Sequence, residues 1–308
     1  MNNTTYQLTF WLMGLALVSC QNQKSGLESA EQPSSDPVAT DDPADPAVKL
    51  FEEARQDFEE NPGDPESLIW YGRRTAYLGR LEEAISIFTQ GIQQHPADAR
   101  MYRHRGHRYI STRKYDSAIL DFEKAANLIV GQEDEIEPDG LPNARDIPLS
   151  TLHGNIWYHL GLAYYLQNDM DNALRAFSNR TVTERYPDNL VSGGHWLYMI
   201  LRRLGRQEEA EAAIEKVAQD MDIIENDSYY KMCLFYKGLL AEEQLAPVGE
   251  NSSANDVLGY GLGNWYLYEK QDTAVAKKHY RYVLDNGNQY SFAYLAAEAD
   301  WDRLFVKE

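Results

Sequence analysis

Apolar residues recur along most of the chain with the spacing of amphipathic helices, and part of that pattern repeats. Between residues 68 and 130, Ala84 aligns with Ala118 and Phe88 aligns with Phe122, each pair 34 residues apart. Each copy contains two helical patterns, so we predict a series of helix hairpins. A single hairpin cannot bury its own apolar faces, and the hairpins must therefore stack. The other aligned pairs are Leu68 with Tyr102, Gly72 with Gly106, and Gly91 with Ala125.

This arrangement resembles the tetratricopeptide repeat (TPR), a 34-residue unit that favours particular residues at fixed positions. The third copy shows them clearly, because Leu160 and Gly161 are followed by Tyr164, Ala173 and Phe177. The resemblance implies an all-α fold, a right-handed α-α superhelix or TPR solenoid, with a concave and a convex surface. It also implies that a partner binds in the concave groove.

The pattern predicts a solenoid over residues 47–308. Its predicted parts are clear repeats at 65–98 and 99–130, an insertion at 131–150, a clear repeat at 154–187 and divergent repeats at 191–304. The insertion is acidic, and insertions in repeat arrays form loops, sometimes at the binding face. We expect the final helix, at 291–304, to be a solvated cap because it carries Glu298, Asp300, Asp302 and Arg303.

An apolar run at residues 8–18 precedes Cys20. The run is shorter than the roughly 20 residues of a membrane span and is typical of a signal peptide. Leu17-Val18-Ser19-Cys20 resembles a bacterial lipobox, although no Lys or Arg precedes the run. We therefore predict a lipoprotein signal peptide at 1–19, lipidation of Cys20, and a disordered, acidic, Pro-rich tether at 20–46. The alternatives are an uncleaved anchor or an ordinary signal peptide.

The predicted location is the bacterial cell envelope, where the lipid would anchor the protein to a membrane, on its periplasmic side or at the cell surface. The formal net charge of −19 argues against general affinity for nucleic acid or for an anionic membrane surface. The membrane would therefore be a partner only through the lipid anchor.

One stretch contrasts with this acidity, because residues 99–115 contain no Asp or Glu. Arg100, Arg103, His104 and His107 lie on one face of the predicted helix there. Like charges crowded on a helix destabilise it, so either acidic neighbours or a bound anion should compensate. The basic residues of the stretch are Arg100, Arg103, Arg105, Arg108, Arg113 and Lys114.

Positions that line the concave groove of TPR proteins coincide with this basic face and with aromatic residues of other repeats. We therefore predict a groove that binds a protein or peptide, including one with acidic groups or a C-terminal carboxylate. The competing interpretation is that the arginines pair with acidic residues of adjacent helices or of the insertion. The predicted partner-binding residues are Trp70, Arg73, Arg100, Arg103, His104, His107, Tyr158, Trp196 and Arg202.

Catalytic and cofactor motifs are missing from the sequence, including the zinc-binding His-Glu-x-x-His, the phosphate-binding loop and Gly-x-Ser-x-Gly. We predict no enzymatic activity, no cofactor and no metal site, since His104 and His107 lack a third ligand nearby in sequence. The predicted function is a membrane-tethered TPR scaffold. The alternatives are an architectural subunit of a cell-envelope assembly, or a His-dependent enzyme or metal-binding module on the same scaffold.

Overall fold

The computed structural model describes residues 42–181, 186–245 and 253–306. The predicted signal peptide, Cys20 and most of the predicted tether lie outside these ranges. Within them the chain folds into helices joined by short turns, and none of these helices has the length and apolar character needed to cross a membrane. In chain order they are α1 (Pro46–Glu60), α2 (Pro65–Tyr77), α3 (Leu81–Gln94), α4 (Ala99–Ser111), α5 (Tyr115–Leu128), α6 (Leu152–Leu166), α7 (Met170–Thr181), α8 (Pro187–Arg203), α9 (Gln207–Ala213), α10 (Asp227–Tyr236), α11 (Ser253–Tyr268), α12 (Thr273–Asn286) and α13 (Phe292–Phe305).

Successive helices pack as hairpins, and each hairpin also packs against the next. The hairpins are α2 with α3, α4 with α5, α6 with α7, α8 with α9, and α11 with α12. The predicted all-α fold, a right-handed superhelix of the TPR type, is confirmed. In the described ranges, the extended backbone pairing outside the helices is a single antiparallel bridge between Ile136 and Thr151.

The repeated Gly and Phe positions meet inside each hairpin. A Cβ atom added to Gly72 would lie 2.6 Å from Phe88 Cζ, and one added to Gly106 would lie 2.9 Å from Phe122 Cε2. Real Cβ contacts are longer, so only glycine lets the two helices approach this closely around the aromatic ring. The 34-residue period in the sequence therefore reflects the Gly–Phe contact that lets the two helices of each hairpin pack closely.

The turn inside each hairpin places one residue in the left-handed region of backbone space. Glycine fills this position at Gly79 (φ 77°) and Gly205 (φ 72°), but Arg113 (φ 59°) and Asn168 (φ 62°) fill it in the second and third hairpins. A non-glycine residue there costs about 1–2 kcal/mol. Arg113 has an interaction that offsets the cost, since its Nε donates to Glu298 Oε2 of α13 at 2.9 Å.

Helix α13 differs from its prediction as a solvated cap. It turns back onto the array and packs against α6 as well as α11 and α12. The prediction is wrong for Asp300, which is 1% exposed and is held by Arg203 of α8 and by Tyr260, whose hydroxyl donates to it at 2.8 Å. The reason is that the curvature of the superhelix brings α6, α8 and α11 around the last helix, so that part of the concave face is filled by the chain itself.

Candidate functional site: a basic pocket on the concave face

A cavity of about 180 Å³ lies between α2, α4 and the insertion. We call it the arginine pocket, after Arg73, Arg103 and Arg108. Arg73 comes from α2, whereas Arg103 and Arg108 come from α4, and all three side chains line the cavity. Glu137 and Asp139 of the insertion also line the cavity. Basic side chains thus outnumber acidic ones in this pocket of an acidic protein.

Glu137 is the acidic residue most firmly held in the arginine pocket. Its Oε1 lies 3.0 Å from Arg103 Nη2, and its Oε2 accepts from Asn155 Nδ2 at 3.1 Å. His104 Nε2 is 3.7 Å from the same Oε1. Because Glu137 is only 7% exposed, this is a buried ion pair, in which attraction and the cost of desolvation largely cancel.

Arg73 and its neighbour Arg74 hold backbone carbonyls of the insertion. Arg73 Nη2 donates to Pro138 O at 2.9 Å, and Arg74 Nη1 donates to Gly140 O, also at 2.9 Å. The Arg73 guanidinium also lies 4.3 Å from the centre of the Trp70 ring, a cation–π contact. Among the described residues no carboxylate lies within ion-pair distance of Arg73 or Arg74, although the charges of Glu137 and Asp139 act on Arg73 and raise its pKa.

Arg108 is the least compensated charge in the arginine pocket. It is 7% exposed, and no carboxylate of the described ranges lies within ion-pair distance of it. Its Nη2 donates to His107 Nδ1 at 2.7 Å, while its Nε has no partner among the described residues. Burial, together with the charges of Arg103 and Arg73, lowers the pKa of Arg108 to about 10. The side chain therefore remains a buried cation at neutral pH, which is costly unless an anion joins it.

Three histidines form the wall beside these arginines, and their hydrogen bonds define their protonation. His104 Nδ1 accepts from Arg103 Nη1 at 3.1 Å, and His107 Nδ1 accepts from Arg108, so neither nitrogen carries a proton. The His159 ring lies 4.6 Å from the His107 ring. Burial, together with the arginine charges, lowers the pKa of all three histidines well below the ordinary value. They are neutral at physiological pH.

The histidines do not form a metal site in the part of the chain that the structure describes, where no group of three or more His, Cys, Asp or Glu side chains is arranged to hold an ion. His195 of α8 is buried among aromatic rings, and burial lowers its pKa to about 3. Cys233 is a buried free thiol whose pKa is raised by burial. Neither residue faces the arginine pocket.

The predicted partner-binding residues separate into two groups. Arg73, Arg103, His104 and His107 meet in the arginine pocket. Arg100 lies outside it and pairs with Glu66 at 2.8 Å and with Asp98 at 2.6 Å. The competing interpretation, pairing with nearby acids, thus describes Arg100 and, through Glu137, Arg103. It also describes Arg202, which pairs with Glu269.

The predicted aromatic contacts are mostly covered. Trp196 is fully buried, and its Nε1 donates to the hydroxyl of Tyr158 at 2.9 Å. The ring of Tyr158 in turn lies 6.2 Å from that of Phe292 in α13. Trp70 alone of the three remains at the edge of the arginine pocket, through its contact with Arg73.

Sequence reasoning did not single out Arg108, Glu137 or Asn155. A signal for Arg108 was present, because Arg100, His104 and Arg108 are spaced by four residues and so follow one helical face. Glu137 and Asn155 carried no such signal. Their place in the pocket depends on the path of the insertion and on the stacking of α6 against α4.

Comparison with known proteins agrees with this architecture. Residues 154–178, in the third predicted repeat, match the family model described as tetratricopeptide repeat. This segment of the chain is thus similar to a tetratricopeptide repeat. No curated protein matches the chain.

Solved structures of similar fold include two TPR proteins. YrrB, described as a TPR protein with an unusual peptide-binding site, is 18% identical over 81% of this chain and 98% of its own, with a TM-score of 0.44. A tetratricopeptide repeat protein from Parabacteroides merdae is 14% identical over 82% of this chain and 91% of its own, with a TM-score of 0.46.

Proposed function

We propose that the protein is a non-enzymatic TPR-type scaffold of the bacterial cell envelope that binds a protein or peptide segment through an anionic group placed in the arginine pocket. We also propose that lipid on Cys20 anchors it to a membrane. The anchor is supported by the likeness of residues 17–20 to a lipobox after an apolar run. The tether at 20–46 would then give the solenoid freedom to reach its partner.

The observation that carries the binding proposal is the uncompensated charge of Arg108. Two further arginines line the same cavity, Glu137 balances one of them, and the histidines stay neutral. A carboxylate from outside would accept from the free Nε of Arg108 and from neighbouring guanidinium groups. Hydrogen bonds to charged groups contribute about 1.5–3 kcal/mol each.

The wall of the pocket suits recognition rather than acid–base catalysis. Nδ1 of His104 and Nδ1 of His107 each accept a bond from an arginine, and Nδ1 of His159 donates to Asn155 O at 2.6 Å. With lowered pKa values and one nitrogen each already engaged, these rings serve better as fixed walls of a binding site than as proton carriers.

The test is an array of acidic peptides, with free and amidated C-termini, probed with the purified full chain and with Arg108→Gln. We expect the substitution to weaken binding about tenfold, equivalent to one lost charge-assisted bond. Arg281→Gln is the matched control, because Arg281 is exposed, forms its ion pair with Asp285 within α12 and does not line the arginine pocket. Binding that is unchanged in Arg108→Gln would contradict the proposal.

The anchor is tested separately by Cys20→Ser in the native envelope. We expect labelling with a radioactive fatty acid to be lost and the protein to move from the membrane fraction to the soluble fraction. Retention in the membrane without label would show a different kind of anchor.

A further inference from the structure

A short part of the insertion crosses the arginine pocket. We call residues 135–140 the crossing segment. It is extended where Ile136 pairs with Thr151, with Glu137 N donating to Ser150 O at 3.0 Å and Leu152 N donating to Glu135 O at 2.9 Å. We propose that the crossing segment is a bound internal ligand, which resembles the peptide that the pocket binds from outside. This inference rests on the proposed function.

The crossing segment is held as a peptide ligand is held, by residues from several separate helices. Glu137 contributes its carboxylate to Arg103 of α4 and Asn155 of α6. Pro138 and Gly140 contribute backbone carbonyls to arginines of α2. One side-chain contact and two main-chain contacts at fixed positions thus set the register of the segment.

The space around the crossing segment also restricts which residues it can contain. A Cβ atom on Gly140 would overlap the hydroxyl of Tyr77, so only glycine fits beside that ring. Pro138 has a fixed φ and no N–H group, and it restrains Glu137 to an extended conformation. The external ligand that fits the same contacts is therefore an extended peptide with the pattern Glu-Pro-x-Gly.

The remainder of the insertion is fixed elsewhere, so the crossing segment can leave without unfolding it. Arg145 pairs with Asp222 at 2.7 Å, and Asn143 Nδ2 donates to Glu225 Oε1 at 2.6 Å. These anchors lie on the C-terminal side of the crossing segment. Release of the segment breaks the Glu137 ion pair with Arg103, the bond from Asn155 to Glu137, the two carbonyl bonds to arginines of α2 and the short bridge at Ile136, but no contact between two helices.

The crossing segment does not provide an anion to every arginine of the pocket, and this explains how a partner would displace it. The crossing segment supplies an anion to Arg103 but none to Arg108. A tethered ligand competes at a high effective concentration, in the millimolar range for short linkers. A partner that also brings an anion to Arg108 would overcome that competition, whereas a peptide copy of the segment would do so only in large excess.

The experiment uses a full-length variant in which residues 135–140 are replaced by a Gly-Ser linker of equal length. The probe is a fluorescent peptide of residues 133–142, Glu-Asp-Glu-Ile-Glu-Pro-Asp-Gly-Leu-Pro. We expect saturable binding, measured by anisotropy, that is at least roughly tenfold tighter for the variant than for the unaltered chain. The same peptide with Gln in place of Glu137, and a scrambled peptide, are expected not to bind. Equal affinity for the two proteins, or no binding to a variant with the unaltered helical spectrum, would overturn the inference.

A second measurement covers the case in which the variant does not fold. Hydrogen exchange of the Glu137 amide is followed in the unaltered chain, with and without a large excess of the probe peptide. We expect exchange to become at least several-fold faster when the peptide binds, because the bond to Ser150 O is lost. Peptide binding with unchanged exchange would place the peptide elsewhere and refute the inference.

Arg108→Gln distinguishes this inference from the proposed function. In the linker variant, we expect the probe peptide to bind with little change when Arg108 is also replaced, because the crossing segment forms no ion pair with Arg108. Loss of acidic-peptide binding in Arg108→Gln supports the proposed function independently. Each proposal can therefore fail while the other holds.

Discussion

The two halves of the concave face are filled by the chain in different ways. Around α2 and α4 this face is occupied by the crossing segment, which is bound by an ion pair and hydrogen bonds. Around α6, α8 and α11 the filler is α13, a helix that buries Leu295 and Ala297 together with the Arg203–Asp300 ion pair. Full burial of a leucine contributes about 1.5–3 kcal/mol, whereas a typical hydrogen bond contributes about 1 kcal/mol net.

The difference separates a permanent part of the fold from an exchangeable one. At α13 each buried arginine has a carboxylate partner, since Asp300 pairs with both Arg203 and Arg303 and also accepts from Tyr260. In the arginine pocket, by contrast, Arg108 has no carboxylate within ion-pair distance among the described residues. We therefore expect the α13 region to resist perturbation and the arginine pocket to respond to ligand, charge and pH.

The largest expected effect is that of acidic pH on the arginine pocket. The folded-state pKa values of His104, His107 and His159 lie below the unfolded value of about 6.5. Stability is therefore complete above about pH 6.5 and falls as the pH falls below it, by about 1.4 kcal/mol per pH unit for each histidine. Urea unfolding from pH 7.5 to 5.0 measures the loss.

The same pH series tests whether the loss of stability at acidic pH begins in the helices around the arginine pocket. Hydrogen exchange should rise first in α4 and α6 and later in α11 and α13. A uniform rise, or a loss of stability that persists when the three histidines are replaced by glutamine, would contradict the assignment to this cluster.

The next largest effect is expected for Asp300→Ala. It leaves Arg203 buried without a carboxylate, which costs about 3–5 kcal/mol. Glu137→Ala is the matched substitution in the arginine pocket, and we expect a smaller loss, because the crossing segment can open and let water reach Arg103. Chemical denaturation of both variants measures the two losses of stability. Equal losses would mean that α13 and the crossing segment are held equally firmly.

Replacing one buried arginine near α13 and one in the arginine pocket is expected to have opposite effects on the stability of the protein. Arg203→Gln should destabilise the protein by several kcal/mol, because Asp300 loses its main buried partner. Arg108→Gln removes a buried cation that has no anion and should stabilise the protein by about 1 kcal/mol. Thermal unfolding measures both, and destabilisation by Arg108→Gln would show that its charge is compensated in the free protein.

The smallest expected effects concern the hairpin turns. Asn168→Gly relieves a left-handed backbone conformation and should stabilise the protein by about 0.5–1 kcal/mol. Arg113→Gly relieves the same conformation but loses the bond to Glu298 of α13, so the net change should be close to zero. A gain as large as that of Asn168→Gly would mean that the Arg113 contact contributes nothing to docking α13.

Much of the fold was predictable because its determinants recur locally. The Gly72–Phe88 contact is repeated by Gly106 with Phe122 and by Gly161 with Phe177, and each pair lies within one hairpin. The basic face of α4 was predictable for the same reason, since helical spacing alone places Arg103 and His107 on one face. The occupants of the groove were not predictable, because no period relates Glu137 or Asp300 to the residues that hold them.

The sequence by itself therefore determined the helices, their pairing into hairpins and the concentration of positive charge on one helix. Only the tertiary structure decided which of those charges are matched. Arg113 meets Glu298 across 185 positions of sequence, and Arg73 meets Pro138 across 65. Such contacts depend on the accumulated curvature of the stacked hairpins and on the path of the insertion. The spacing of residues within a repeat determines neither of them.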